Sequence, residues 1–179
     1  IFGDPKSKDG DNSILHKKFS GGHLTICGAN SSSSLSSRPV RIVLLDEVSR
    51  FPASAGAEGD PVNLAIKRSQ TFWNAKTIMV STPTIKGACR IDNAFENSDK
   101  RFYKVPCPDC KEYQVLDWKQ VRWDKDNPDS AQYTCLHCGS LWNDAKRYKA
   151  VRNCFFQNTK EFKGVAGFHI SELYSSWSR

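Results

Sequence analysis

Two short apolar runs organise the first half of the chain. Ile42-Val43-Leu44-Leu45 is continuous and closes on Asp46-Glu47, and Thr77-Ile78-Met79-Val80 closes on Ser81-Thr82-Pro83-Thr84. Apolar runs without alternation predict strands buried on both faces, as in a parallel sheet. Residues 24–28 alternate and predict a strand paired with residues around Leu15 to Phe19 through a turn at Gly21-Gly22, residues 14–19 suiting either a short helix or a strand. Leu64, Ala65, Arg68 and Phe72 fall at helical spacing and predict a helix over 61–72, with Pro61 in its first turn and Asp60 as its cap. Helical periods also predict helices over 89–97 and 143–152, the latter capped by Asn143. Residues 102–105 and 164–171 read as strands, and Leu173 to Trp177 as an aromatic segment near the end. The serine-rich residues 29–39 and the small residues 53–60 read as loops, and residues 1–13 as a polar surface segment.

Composition narrows the class. The 179 residues are 39% hydrophobic and 25% charged, which fits a globular domain with a sizeable core plus a small module. No apolar run approaches the length of a membrane span, and no secretory signal opens the chain. The net charge of +7 leans toward a polyanionic partner. The first residue is Ile and the only Met is Met79, so the chain is expected to be a piece of a longer protein.

Two acids at the carboxyl end of a buried strand stand where open α/β sheets bind ligands. Asp46 and Glu47 have the form of a Walker B element, in which the first acid helps hold Mg²⁺ and the second polarises the attacking water. The second strand, ending in Ser81, Thr82 and Thr84, has the form of a segment that senses a γ-phosphate. Together they point to a P-loop NTPase core. Arg38, in the serine-rich loop, is a candidate for stabilising the transferring phosphoryl group in its own site or a neighbour's, or for a DNA phosphate contact.

Cysteine spacing gives the sharpest signal. Cys107-Pro108-Asp109-Cys110 and Cys135-Leu136-His137-Cys138 form two CxxC pairs separated by 24 residues. Four thiolates suit tetrahedral Zn²⁺ with no position open for chemistry, so the metal is structural. Residues 113–116 and 132–134 are expected as hairpin arms of a zinc ribbon, with an extra loop at 123–130. His137 is not expected to be a ligand, and Cys27, Cys89 and Cys154 are expected as buried thiols. Lys111, Lys119, Arg122 and Lys125 leave open whether the ribbon touches DNA, spaces domains or docks a protein.

The order of these motifs resembles the large terminase subunit of tailed phages, of the lambda-like type. The likeness rests on Leu44-Leu45-Asp46-Glu47, Ser81-Thr82-Pro83-Thr84 with Lys86-Gly87-Ala88-Cys89-Arg90-Ile91, both CxxC pairs, Gly167-Phe168-His169-Ile170 and Tyr174-Ser175. It covers roughly residues 19–177 and lies in order and spacing. It implies an α/β fold: a partial RecA-like P-loop ATPase sheet of mostly parallel strands with flanking helices, plus a small zinc-ribbon β module. The implied division is residues 1–105 for the second half of the ATPase domain, 106–142 for the ribbon, and 143–179 leading toward a nuclease domain.

The resemblance implies an ATP-driven motor that moves double-stranded DNA into a prohead and cuts it with a metal-dependent endonuclease. Asp46 would assist Mg²⁺, Glu47 would be the catalytic carboxylate, and Ser81, Thr82 and Thr84 would couple hydrolysis to movement. Arg38 would stand where related motors carry a trans-acting arginine. Implied cofactors are structural Zn²⁺ with Mg²⁺ and ATP. Implied partners are double-stranded DNA, the small terminase subunit and the portal protein, with oligomers on the portal, in the host cytoplasm and away from membranes. The chain lacks a GxxxxGK[ST] loop and the nuclease carboxylates, so alone it is expected neither to hydrolyse ATP nor to cut DNA. Two other readings stay open: a non-enzymatic zinc-ribbon DNA-binding module, and a helicase-like translocase with an inserted ribbon.

Overall fold

The computed structural model describes residues 13–176. The polar amino-terminal segment and Trp177 lie outside the described residues. The chain divides into two compact units, Ile1–Ile91 and Asp92–Arg179. It is a mixed α/β protein built from small sheets, with most strand pairs antiparallel.

The first unit opens on a hairpin of β1 (His16–Phe19) and β2 (Gly22–Thr25). The turn is Ser20-Gly21, where Gly21 takes φ +86°, a value that favours glycine. The second strand thus starts two residues earlier than the alternation suggests. Helix α1 (Ser32–Ser36) then interrupts the expected serine-rich loop, anchored by buried Leu35. Strand β3 (Ile42–Asp46) pairs in parallel with β4 (Lys76–Val80), joined through α2 (Pro61–Lys67). Asp60 caps α2 as its spacing predicts, accepting from the Asn63 N–H at 3.1 Å. The helix stops at Lys67, short of Phe72. Helix α3 (Arg90–Glu96) begins at the end of this unit.

The expected two-sided burial of β3 is corrected here. Val43 and Leu45 are buried, but Ile42 is 48% and Leu44 64% exposed. One face packs against Leu35, Val48, Val62 and Ala65, while the other stays open. Among the described residues β3 and β4 have no third parallel partner, so a RecA-like sheet is not evident.

The second unit is centred on β5 (Arg101–Pro106). β6 (Tyr113–Val115) follows, then β7 (Val121–Asp124), β8 (Asn127–Thr134) and β9 (Leu141–Trp142). α4 (Asp144–Val151), β10 (Phe155–Asn158) and β11 (Phe168–His169) complete it. Asn143 caps α4 as expected, accepting from the Lys146 N–H at 3.0 Å. β10 pairs antiparallel with one edge of β5. β6, antiparallel, and β11, parallel, share the other. β7, β8 and β9 form a separate antiparallel sheet.

The arms at 113–115 and 132–134 are hairpin arms as expected, each pairing across its own CxxC turn. Two expectations change. The segment 123–130 is a β7–β8 hairpin rather than a loose loop. The strand over 164–171 shrinks to two residues.

Two polar devices hold this unit together. The Asp99 carboxylate, fully enclosed, binds Arg101 Nε at 2.7 Å and accepts from the Gly167 N–H at 3.1 Å. Burial opposes its ionisation, but those two donors outweigh it and hold its pKa below the ordinary carboxylate value. Gly167 has to be glycine, because a Cβ there would lie 1.9 Å from Ser98 Oγ. The Tyr174 hydroxyl accepts from the Leu116 N–H at 2.9 Å and donates to the Tyr103 carbonyl at 2.7 Å, tying the end of the chain to the ribbon.

Candidate functional site

Two groups of candidate residues are present, one in each unit. In the first, the register pairs Ile42 with Lys76 and Asp46 with Val80. Parallel strands in register deliver their next residues to the same end, so Asp46-Glu47 and Ser81 emerge side by side. The Ser49 N–H donates to Ser81 Oγ at 3.2 Å. Ser81 Oγ in turn donates to the Thr82 carbonyl at 3.2 Å.

Glu47 adopts φ +54° and ψ +41°, the left-handed region. A residue other than glycine held there costs about 1–3 kcal/mol and persists only where its surroundings fix it. Its carboxylate pairs with Arg50 at 3.3 Å, and both Asp46 and Glu47 face solvent. Thr82 and Thr84 are exposed beyond the strand end. Arg38 is also exposed, on the segment that enters β3 at its amino end. Five residues of strand rise about 13 Å. Among the described residues no ion pair joins Arg38 to Asp46 or Glu47.

The second group is the cysteine cluster. The four sulfurs of Cys107, Cys110, Cys135 and Cys138 all lie within 4.8 Å of one another. The Cys107–Cys138 and Cys110–Cys135 separations are 3.8 and 3.9 Å. Sulfurs placed tetrahedrally around a metal at Zn–S 2.3 Å would stand about 3.8 Å apart. The donor set therefore fits a metal such as zinc with little rearrangement.

The two CxxC turns are built alike. Cys107 N–H donates to the Glu112 carbonyl and Cys135 N–H to the Ser140 carbonyl, both at 2.9 Å. Lys111 N–H donates to the Cys107 carbonyl at 3.0 Å, and Gly139 N–H to the Cys135 carbonyl at 3.1 Å. Each turn closes on a left-handed residue, Lys111 at φ +67° and Gly139 at φ +73°. Backbone N–H groups point at sulfur: Asp109 and Cys110 at Cys107, and His137 at Cys135, each at 3.4 Å.

These donors shift the thiols. Burial opposes ionisation of Cys107, yet the Cys110 N–H, the Ser140 hydroxyl and the Asp109 N–H bring its pKa down to about 6. At Cys110 the Glu112 backbone favours the thiolate, but burial and the neighbouring sulfurs push the pKa up to about 12. Four negative charges this close need a cation among them. His137 is exposed and outside the cluster, as expected. Of the remaining thiols Cys89 is buried and Cys154 partly so, while Cys27 is exposed, against expectation.

Gln114 is a residue that sequence reading passes over. Buried between the turns, it donates from Nε2 to Cys135 Sγ at 3.3 Å and accepts at Oε1 from the Leu136 N–H at 2.9 Å. The available signal is a polar side chain at the inward position of a short strand beside a CxxC, which suits an outer-shell support for a ligand.

Comparison with known proteins agrees with the order of motifs. Residues 1–155 match the family described as phage terminase large subunit gpA, ATPase domain. The large terminase subunit of Enterobacteria phage P21 is 34% identical over 161 residues, covering 85% of this chain and 25% of that protein. That of Escherichia phage lambda is 32% identical over 139 residues, covering 73% of this chain and 22% of that protein. The chain thus spans about a quarter of the length of these relatives. No solved structure matches it at comparable significance. Among the described residues no helix is long and apolar enough to cross a membrane. With the family match covering most of its length, the chain belongs to the phage terminase large subunits, within their ATPase domain.

Proposed function

We propose that this chain carries part of the ATP-hydrolysing engine of a phage DNA-packaging motor, as the second half of a RecA-like P-loop domain. The observation that carries the reading is the in-register β3–β4 pair. It brings Asp46-Glu47 and Ser81 to one strand end, with Glu47 in a strained left-handed conformation. Asp46 is the residue that would hold Mg²⁺, which supplies charge neutralisation at the phosphates. Glu47 orients and polarises the attacking water. Ser81, through its bond to the Ser49 N–H, reports the state of the strand ends to the segment carrying Thr82 and Thr84. Arg38 enters β3 from the opposite end, which favours action on a neighbouring subunit's nucleotide over its own.

The motor reading carries the rest with it. The substrate is double-stranded DNA moved into the prohead through the portal protein. The small terminase subunit assists, and an endonuclease elsewhere in the polypeptide cuts. The work is done in the host cytoplasm by an oligomer on the portal. The cysteine cluster holds Zn²⁺ and fixes the ribbon, with domains divided near residues 105 and 142.

Glu47→Gln in the complete large subunit tests the proposal. ATP turnover is expected to fall by about 10²–10⁴-fold while nucleotide binding persists. Unimpaired turnover would leave Asp46 and Glu47 as ordinary strand-end acids and favour a zinc-ribbon binding module.

A further inference from the structure

The Arg90 guanidinium stands where the segments following β3 and β4 meet. Nη1 donates to the Phe51 carbonyl at 2.8 Å and reaches the Val48 carbonyl at 3.5 Å. Nη2 donates to the Pro52 carbonyl at 2.7 Å and to Asp60 Oδ1 at 2.9 Å. The second Asp60 oxygen accepts from the Asn63 N–H, so one carboxylate serves both the α2 cap and Arg90.

A partly exposed ion pair is worth little by itself. A planar fork satisfied by carbonyls and a carboxylate does something different: it fixes the path of the backbone that offers those carbonyls. Here that backbone is residues 48–52, the turn that leaves Glu47. Glu47 sits in a conformation its side chain disfavours, so the turn behind it must be held. Two polar ties reach the turn from the β4 side, Ser81 Oγ at the Ser49 N–H and Arg90 at the carbonyls beyond. Both come from the stretch 81–90.

We propose that Arg90 is a positioning residue for ATP hydrolysis. It clamps turn 48–52 so that Glu47 keeps its place at the strand ends, and it passes any shift of segment 81–90 to Glu47. This rests on Glu47 being the catalytic carboxylate. The Asp60 cap is the fixed point against which the clamp works.

The test uses the complete large subunit with Arg90→Met and Arg90→Lys beside Glu47→Gln. It measures kcat and KM for ATP, nucleotide binding and thermal unfolding. Arg90→Met keeps the aliphatic stem and loses the fork. Its kcat is expected to fall about 100-fold, the scale of a small misplacement of a reacting group. KM and the unfolding temperature should stay near wild type. Arg90→Lys should recover part of kcat, because an ammonium can still reach some of the carbonyls.

Wild-type kcat in Arg90→Met overturns the proposal. So does a joint loss of kcat, nucleotide binding and thermal stability in both variants, which is what a merely structural residue would give. If Arg90→Met does not fold, Arg90→Lys decides: a loss of about tenfold at unchanged KM supports the clamp, and wild-type kcat overturns it. Active Glu47→Gln removes the reading of Glu47 and this inference with it. Inactive Glu47→Gln beside unimpaired Arg90 variants removes the inference alone.

Discussion

The two units reach order by different physical means. In the first, β3 and β4 bury one face and leave Ile42, Leu44, Ile78 and Val80 exposed on the other. Its order depends on ordinary apolar burial and on the cap at Asp60. In the second, the core gathers around the CxxC turns: Cys107 and Cys135 are themselves core residues, packed with Val105, Tyr133 and Trp142. There the candidate metal ligands and the hydrophobic core are the same side chains. A sheet face needs long-range partners, whereas a CxxC turn closes over six residues.

Charge separates the regions too. Residues 1–91 hold twelve Lys and Arg against seven Asp and Glu, while residues 106–142 hold four against six. Zinc held by all four thiolates would add two further negative charges. DNA phosphates are drawn to basic surface, so the acid excess weighs against Lys111, Lys119, Arg122 and Lys125 forming a DNA-binding ribbon. The neighbouring, exposed Trp118 and Trp123, with ring centroids 6.3 Å apart, suit contact with protein better.

The sharpest way to break the comparison is to remove the metal. Removing the metal with a chelator should cost about 10 kcal/mol or more of the folding free energy around the CxxC turns, and Cys135→Ser a part of that. Zinc stoichiometry and hydrogen exchange should show protection lost around residues 105–142 and kept around β3 and β4. Uniform loss in both units would erase the distinction.

The next effect concerns the two faces of β3. In the 179-residue chain, Leu45→Ala should destabilise the first unit by about 2–5 kcal/mol, as for a filled core position. Leu44→Ala, on the open face, should change it by about 0.5 kcal/mol or less. Equal costs from denaturant unfolding would mean that the outer face is covered.

The smallest effect sharpens the likeness of the two CxxC turns. Lys111 occupies the left-handed position that Gly139 fills in the other turn. Lys111→Gly should relieve strain and stabilise the ribbon by up to about 1 kcal/mol, while Gly139→Ala should destabilise it by a similar amount. A destabilising Lys111→Gly in a thermal scan would show that the lysine side chain contributes more than its backbone costs.

Much of the site was legible along the chain. The CxxC spacing is enough for a ligand set, because each pair needs only its own turn. The caps at Asp60 and Asn143 were legible for the same reason, being bonds to N–H groups three residues on. The apolar runs into Asp46-Glu47 and into Ser81 marked two strand ends. The serine-rich stretch misled, since a single Leu35 suffices to seat a short helix once a core is available.

The sequence by itself determined which residues could bind metal, where helices begin, and which acids close an apolar strand. Those features depend on spacing of a few residues and on side-chain chemistry. Only the tertiary structure decided that β3 has one buried face, that the two hairpin arms pair across their own turns, and that Gln114 supports Cys135 from 21 residues away. It also decided that Arg90 reaches back some forty residues to the turn behind Glu47. Such contacts join positions far apart in sequence, and no local period or propensity records which distant carbonyl a guanidinium will find.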